Sequence, residues 1–468
     1  MWVHSLAPSD FSATGAQTVD FGNGRTGPMA HVHAATSTSV ADLVPDRTRR
    51  ADVSVDLVAR SQRLTVGGQT IDGYTLNGTS PGPQITVRQG QLVQVRLHNE
   101  SVPAGVTLHW HGIDVPNAMD GVAGITQDAV PVGGDFVYRF VAEKAGSYWY
   151  HSHQLSSVQV TGGLVGSINV LPEHPPGAIL DVTALAHTYA GVRTLNGTPG
   201  DLQLAARPGQ PIRVRVVNTD NASVLAWASA PYTVTAVDGW DVHGPTPVSD
   251  RSLLVTAGGR ADLQLTTPED GSGVRVQIGK ATAVVVGGTD GSDGVVVAPP
   301  AQPADQLDLL TYGDRAPLGF DPARADRRFD YVVRRRPGFV LGKPGVWWSI
   351  NGALYPNIAM PVVSRNDVVV IHIDNKSNEP HPFHLHGHHA VVLARNGVPA
   401  TGAPWWFDSL EVPVGTTFDI SFVANNPGVW MDHCHNLQHA ADGMVVHLMY
   451  DDVSEPYRIG GTAGNQPE

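Results

Sequence analysis

The sequence predicts an all-β protein built from three related domains, and three observations carry that reading. The chain holds 51 Gly and 35 Pro among 468 residues, with short Val- and Thr-rich runs between them. Turn-formers at that density favour many short strands over helices. One turn-and-strand unit recurs three times along the chain. The length also exceeds what a single hydrophobic core supports, so two to four domains are expected.

The repeat sets the order of the parts. Asn77-Gly78 leads into the alternating run Gln94-Val95-Arg96-Leu97-His98, which closes at Asn99. Asn196-Gly197 leads into Ile212-Arg213-Val214-Arg215-Val216-Val217 and Asn218, and Asn351-Gly352 into Val368-Val369-Val370-Ile371-His372-Ile373 and Asn375. The Asn-to-Asn intervals are 22, 22 and 24 residues. Asn-Gly is a turn signal and the runs read as strands, so three gapped copies in register point to duplication. Breaks are expected near Leu171-Pro172 and near Pro299-Pro300-Ala301-Gln302-Pro303. The division is then an arm (1–45), three domains (46–172, 173–303 and 304–452) and a polar tail (453–468). The arm, with Gly22-Asn23-Gly24 and Ala35-Thr36-Ser37-Thr38-Ser39, reads as rich in loops.

Composition narrows the partners. A net charge of −13 argues against nucleic acid or an anionic membrane surface. No apolar run is long enough to span a bilayer, and no charged segment followed by an apolar one opens the chain as a signal peptide would. The single cysteine rules out a disulfide within the chain.

That cysteine, Cys434, lies in His433-Cys434-His435, with His439 and Met444 downstream. Two imidazoles, a thiolate and a weak axial Met make the ligand set of a blue-copper electron-transfer centre. Three further segments share its chemistry: His109-Trp110-His111-Gly112, His151-Ser152-His153 and the run from His381 to His388. In an extended chain, residues two apart share a face and neighbours oppose. His109, His111, His151, His153, His384, His386, His433 and His435 can therefore gather on one side. His381, Cys434, His439 and Met444 fall on the other, with Pro382 holding its segment extended. Eight imidazoles are too many for one metal, so a multinuclear centre is implied. Half come from the first domain and half from the third, which places it at their interface. The middle domain supplies none and reads as a spacer.

These four segments resemble the copper motifs of the multicopper oxidases, and the whole is similar to a three-domain, laccase-like bacterial member. The match runs over roughly residues 50–450 and includes Pro81-Gly82-Pro83. The resemblance implies three cupredoxin-like β-barrels of Greek-key type and four coppers per chain. It assigns His381, Cys434, His439 and Met444 to a type 1 copper, and His109 and His384 to a type 2 copper. His111, His151, His153, His386, His433 and His435 fall to a type 3 pair. In that family one site takes electrons singly and a trinuclear cluster reduces O₂ to water. Export from the cytoplasm is the family expectation.

Reducing O₂ to water consumes protons. Asp120, in Met119-Asp120-Gly121, matches an acidic residue of related bacterial enzymes and reads either as a proton relay or as a turn aspartate before glycine. Some relatives carry a glutamate directly after the second type 1 histidine, where this chain has Ala440. His31-Val32-His33 has the same spacing but no following glycine and reads as incidental, while His388 and His389 read as supports for neighbouring ligands rather than as ligands. Trp347-Trp348 and Trp405-Trp406 are aromatic pairs that either pack or line a donor pocket near His381 or His439.

The expected activity is one-electron oxidation of phenolic or similar aromatic donors, coupled to four-electron reduction of O₂. One rival is a metallo-oxidase for Cu(I) or Fe(II), although seven Met without a Met-rich run disfavour Cu(I). A copper nitrite reductase would not need eight cluster histidines. A plain copper carrier would use Cys434 and its partners but leave the larger group without purpose.

Overall fold

The computed structural model describes residues 10–12, 18–28, 37–46, 48–174, 177–288 and 295–468, and the account below concerns those residues. The incidental pair His31 and His33 lies outside them. Helix is confined to the short Ser156–Gln159 and Leu437–Ala441 and a few 3-10 turns, so the all-β expectation holds. No helix is long and apolar enough to cross a membrane.

Apart from two short two-stranded sheets, the strands gather into three pairs of sheets, each pair closed over its own core. In the first, the four-stranded sheet around Leu92–Asn99 packs on the sheet holding His109–His111, Gly146–His151 and Val165–Leu171, enclosing Val95, Leu97, Tyr150 and Ile168. The second pairs a seven-stranded sheet around Pro211–Asn218 with a six-stranded one around Val274–Ile278, enclosing Val214, Leu263 and Val276. The third pairs a seven-stranded sheet containing His381–Leu385 and Val429–Cys434 with an eight-stranded one around Val368–Asn375. Alternation drives these strands. In Leu92–Asn99 the side chains of Val93, Val95 and Leu97 point into the core, while Arg96 faces water.

The repeated unit has one physical role in all three copies. Asn77, Asn196 and Asn351 hold φ of 56°, 51° and 51°, the left-handed conformation Asn tolerates, and a glycine follows each. Each side-chain oxygen accepts a backbone N–H from a preceding strand, from Val58, Leu185 and Val332 respectively, at 2.7–2.9 Å. Each side-chain amide donates to a carbonyl two residues earlier, on Asp56, Thr183 and Asp330. The closing Asn99, Asn218 and Asn375 are fully buried, and each carboxamide donates to a loop carbonyl within four residues and to a carbonyl on a distant segment.

Two segments depart from expectation. The arm adds Thr18–Asp20 to the third unit, in parallel with Met360–Val363, and Val19 is buried in that core. The tail is packed as well as polar. Asn465 is buried, with its side-chain oxygen accepting from Ala129 N–H at 2.8 Å, and Leu155 N–H donates to the carbonyl of Gln466 at 2.9 Å. Polarity in these stretches reflects satisfied hydrogen bonds rather than solvation. Similarly, Asp305–Gln306 pairs with Arg251–Val255 and Tyr312 joins the middle core, so the stretch after the Pro-rich break still packs on the second unit.

The three units meet over a small apolar cluster. Trp149, Val160 and Val165 of the first unit pack there with Leu185 and Val217 of the second and Leu437 of the third. Asn117 bolts the first unit to the third by bonding both the N–H and the carbonyl of Val429.

Candidate metal centre

Strand register brings the histidines together. His109–His111 lies antiparallel to Gly146–His151, with His109 opposite His151. In the third unit His381–Leu385 lies antiparallel to Val429–Cys434, with His384 opposite His433 and Phe383 opposite Cys434. Directly opposed side chains are cross-strand neighbours. The two strand pairs face each other across the interface of the first and third units, and every histidine of the group is buried.

The imidazoles are oriented by their outward nitrogens. Nδ1 of His109, His151, His384 and His433 lies 2.8–3.1 Å from the carbonyl oxygens of Asp120, Ser152, Asp408 and Cys434. His386 Nδ1 lies 3.0 Å from Asp120 Oδ2, and His111 Nε2 lies 3.1 Å from Asp408 Oδ1. These acceptors take the N–H, which fixes the tautomer and leaves a lone pair on the inner nitrogen. The inner atoms of His109, His111, His151 and His384 have no hydrogen-bond partner, nor does either ring nitrogen of His435. His433 Nε2 faces His386 Nε2 at 3.2 Å and His153 Nε2 at 3.4 Å.

Donor atoms within 4.8 Å of one another form three sets: His109, His111 and His384; His111, His151 and His435; and His153, His386 and His433. Burial, reinforced by neighbouring imidazoles, holds His111, His151, His153, His384, His386 and His435 well below the usual imidazole range and His433 at about 3. Neutral imidazoles with buried, convergent lone pairs are what a metal requires, so these residues fit a cluster of copper ions.

The opposite face of the same strands gathers the other group. Cys434 Sγ lies 3.7 Å from His381 Nδ1 and 3.6 Å from His439 Nδ1. Met444 is buried beside them, its carbonyl accepting the Cys434 N–H at 3.2 Å. Burial pushes the thiol up and, with His439, pushes His381 down to about 3. A soft sulfur ligand beside two imidazoles suits copper, whose binding displaces the thiol proton. Outward nitrogens are held here too: His381 Nε2 lies 2.8 Å from Ser377 Oγ, and His439 Nε2 lies 3.2 Å from Glu379 Oε2. Trp348 packs against both rings at 4.6 and 4.5 Å. Trp406 lies elsewhere, stacked on Trp240 of the second unit at 4.5 Å.

Asp120 sits in a turn and against the histidine cluster at once. It closes the short 3-10 turn Asn117–Met119, and Gly121 follows at φ +76° with Leu108 O so near that no Cβ fits. Its carboxylate meanwhile lies 3.1 Å from His109 and 3.0 Å from His386.

Spacing gave no sign of Asp408. It touches His111 through its side chain and His384 through its carbonyl, and Arg260 grips it with two contacts of 2.6 and 2.5 Å. Burial alone would raise the Asp408 carboxyl, but the guanidinium and then His111 hold it well below the carboxylate range. Arg260 comes from the middle unit, which is therefore more than a spacer: it fixes the carboxylate that orients ligands. Gly112 ends the first histidine motif because the pair passes there, and a Cβ would lie 2.1 Å from Arg260 Nη2.

Arg260 is fully buried, so replacing it leaves an uncompensated charge on Asp408. Arg260→Met is expected to destabilise the protein by about 3–5 kcal/mol and to lower copper retained after dialysis. Chemical denaturation with metal analysis checks both, and unchanged stability and copper would contradict the role given to this pair.

Comparison with known proteins agrees with this geometry. Two family models, each described as multicopper oxidase, match residues 58–175 and 330–454 and together span half of the chain. Laccase-1 of Botryotinia fuckeliana is 28% identical over 473 residues, covering 86% of this chain and 83% of that protein. Multicopper oxidase MmcO of Mycobacterium tuberculosis is 27% identical over 458 residues, covering 85% and 87%. The crystal structure of a multi-copper oxidase from Pseudomonas thermotolerans shares the fold at a TM-score of 0.70 and 24% identity, over 86% of this chain and 100% of that one. With three cupredoxin-like units and histidine clusters that fit a four-copper complement, this chain belongs to the multicopper oxidase family, copper-dependent oxidoreductases that use O₂.

Proposed function

We propose that this protein is a laccase-like oxidase that takes electrons one at a time from phenols or related aromatic donors beside His439 and passes four of them to O₂, yielding water. Glu379 carries the choice of donor. Its carboxylate lies 3.2 Å from His439 Nε2 and is 40% exposed, while His439 itself is only 8% exposed. A donor thus meets a carboxylate at the imidazole edge and cannot reach a metal directly. Glu379 can accept the hydroxyl proton of a phenol as the electron leaves through the ring.

Bound copper supplies the redox chemistry, one ion accepting single electrons and three delivering four electrons to O₂. We assign the single ion to His381, Cys434, His439 and Met444. The type 2 ion goes to His109 and His384, and the type 3 pair to His111, His151 and His435 on one side and His153, His386 and His433 on the other. Cys434 lies between His433 and His435 in the chain, so the two sites are joined through backbone. To Asp120, which lies against two cluster imidazoles, we assign the passing of protons toward the cluster.

A carboxylate at the His439 edge also suits a metal-ion donor, which keeps the metallo-oxidase reading as the alternative. Two observations favour the aromatic donor. Arg335 lies 3.5 Å from Glu379 and offsets its charge, which weakens a cation site. Met119, Met360, Met431, Met444 and Met449 are all buried, which leaves no exposed thioether for Cu(I) among the described residues.

Glu379→Gln is expected to lower kcat/KM for a methoxyphenol about tenfold while leaving oxidation of ferrocyanide, which has no proton to lose, within about twofold. Equal effects on both donors would remove Glu379 from phenol chemistry, and a wild type preferring Fe(II) or Cu(I) over the phenol would select the alternative. Asp120→Asn is expected to slow reoxidation of the reduced enzyme by O₂ about a hundredfold with electron entry unchanged. Stopped-flow absorbance separates the two steps, and unaltered reoxidation would reject the relay.

A further inference from the structure

The hairpin beside His439 is charged against the trend of the chain. Arg327–Val340 runs antiparallel to Lys343–Ile350, with Val333 opposite Ile350, Arg335 opposite Trp348 and Pro337 opposite Val346. Residues 331–350 hold four cations, Arg334, Arg335, Arg336 and Lys343, and no acidic residue, although the whole chain carries −13. Tyr331 and Val333 point into the third core and are buried. Arg335 shares their face, one step beyond the edge of that core, and is exposed. Arg334 and Arg336 take the opposite face.

Arg335 is held in place by its neighbours. Its guanidinium lies over the Trp348 ring at 4.7 Å, and the same indole packs on His381 and His439. Nη2 donates to the Val346 carbonyl at 3.1 Å, and Nη1 lies 3.5 Å from Glu379 Oε1. The side chain is still 39% exposed, which leaves part of its fork open to a ligand. Glu379 and Asp442 act on His439 as anions and Arg335 acts as a cation. On the same face beyond it, Pro337 and Val346 are exposed, Val346 at 55%. The far end of the hairpin is anchored too. Val340 is buried, and a Cβ on Gly443, the residue before Met444, would lie 3.4 Å from it.

We propose that Arg335 determines donor specificity by binding an acidic group of the donor, so that phenols bearing a carboxylate are preferred over neutral ones. The proposal rests on the phenol-oxidising reading above and narrows its substrate class. A planar guanidinium matches a carboxylate with two parallel N–H bonds. Fixed over Trp348, it loses little freedom when the donor arrives. The donor presents its hydroxyl to Glu379 and its acid group to Arg335, with its ring over Val346 and Pro337. The acid group is unchanged by the reaction. The ring gives up one electron toward His439, and the hydroxyl proton passes to Glu379.

Charge decides the class. The Arg335–Glu379 contact is long, and its partners are 39% and 40% exposed, so the pair contributes little. A carboxylate bonded directly to Arg335 therefore replaces a weak contact with a stronger one. A donor with a positive arm meets the same guanidinium as a repulsion, and a neutral donor makes no use of it. Arg334 carries an equal charge on the other face of the strand, away from Trp348, so it separates local recognition from the general field of the hairpin.

The test uses copper-loaded enzyme and three donors built on one methoxyphenol ring: one with an acetate arm, its methyl ester, and one with an aminomethyl arm. In wild type the acid should have a KM about tenfold below that of the ester, with the amine highest and the gap narrowing as salt is raised. Arg335→Gln should raise KM for the acid about tenfold, with its kcat and the ester's KM within about twofold. Arg335→Lys, which keeps the charge without the fork, should fall between. Arg334→Gln should leave all three donors within about twofold. Binding of dimethoxyphenylacetate, which has no hydroxyl to oxidise, is followed by proton NMR without turnover and should weaken about tenfold in Arg335→Gln. Should Arg335→Gln fail to fold, the wild-type preference and Arg335→Lys still decide. A wild type that treats acid and ester alike overturns the proposal, as does an equal shift for both in Arg335→Gln or the same shift in Arg334→Gln. A wild type that oxidises Fe(II) or Cu(I) but none of the three phenols overturns the phenol reading itself.

Discussion

Seven imidazole nitrogens at the interface of the first and third units are buried without a hydrogen-bond partner: His109 Nε2, His111 Nδ1, His151 Nε2, His153 Nδ1, His384 Nε2 and both nitrogens of His435. Leaving one such group unsatisfied costs about 1–3 kcal/mol, so together they impose a penalty on the order of 10 kcal/mol, comparable to the net stability of a domain. For His109, His111, His151 and His384 mutual hydrogen bonding cannot relieve it, because their outward nitrogens already give their protons to carbonyls and a carboxylate. Metal ions relieve it at the inward-facing nitrogens, where each lone pair can become a ligand. Copper binding and docking of the two units are therefore expected to be coupled.

The middle unit enters that equilibrium through a single buried contact. Arg260 holds Asp408 ionised, Asp408 holds His111 and His384, and Ser409 Oγ lies within 3.3 Å of both rings. The Trp149 indole, between the first and second units, donates to the Gly258 carbonyl at 3.0 Å and stacks on His151 at 4.3 Å. A unit without ligands thus governs the orientation of ligands. The same economy appears at the other site, where Ser377 and Glu379, on the segment just before His381, hold the outward nitrogens of His381 and His439.

Much of this was legible in the chain because strand geometry has a period of two. Parity alone separates His433 and His435 from Cys434, and His384 from His381, and the structure brings together those groups. The three Asn-Gly turns were legible because a left-handed turn demands particular residues. Asp408, Arg260 and Glu379 were not. Arg260 and Asp408 lie 148 residues apart, and nothing in local spacing marks an arginine as the partner of a distant aspartate. The arm and tail were underestimated because edge pairing, as in Thr18–Asp20, needs only a few residues and leaves a weak pattern. His389 was read as a support for neighbouring ligands, and its Nε2 lies 3.4 Å from Asp408 Oδ2, the carboxylate beside His111.

The proposed arrangement puts a blue electron-entry site on one face of the strand Val429–Cys434 and part of a separate copper cluster on the other. Cys434→Ser, analysed for copper content and by visible and spin-resonance spectra, tests it most directly. The intense blue band should be lost with about three coppers retained. A variant that stays blue, or one that loses the cluster coppers while remaining folded, would contradict the two-faced arrangement.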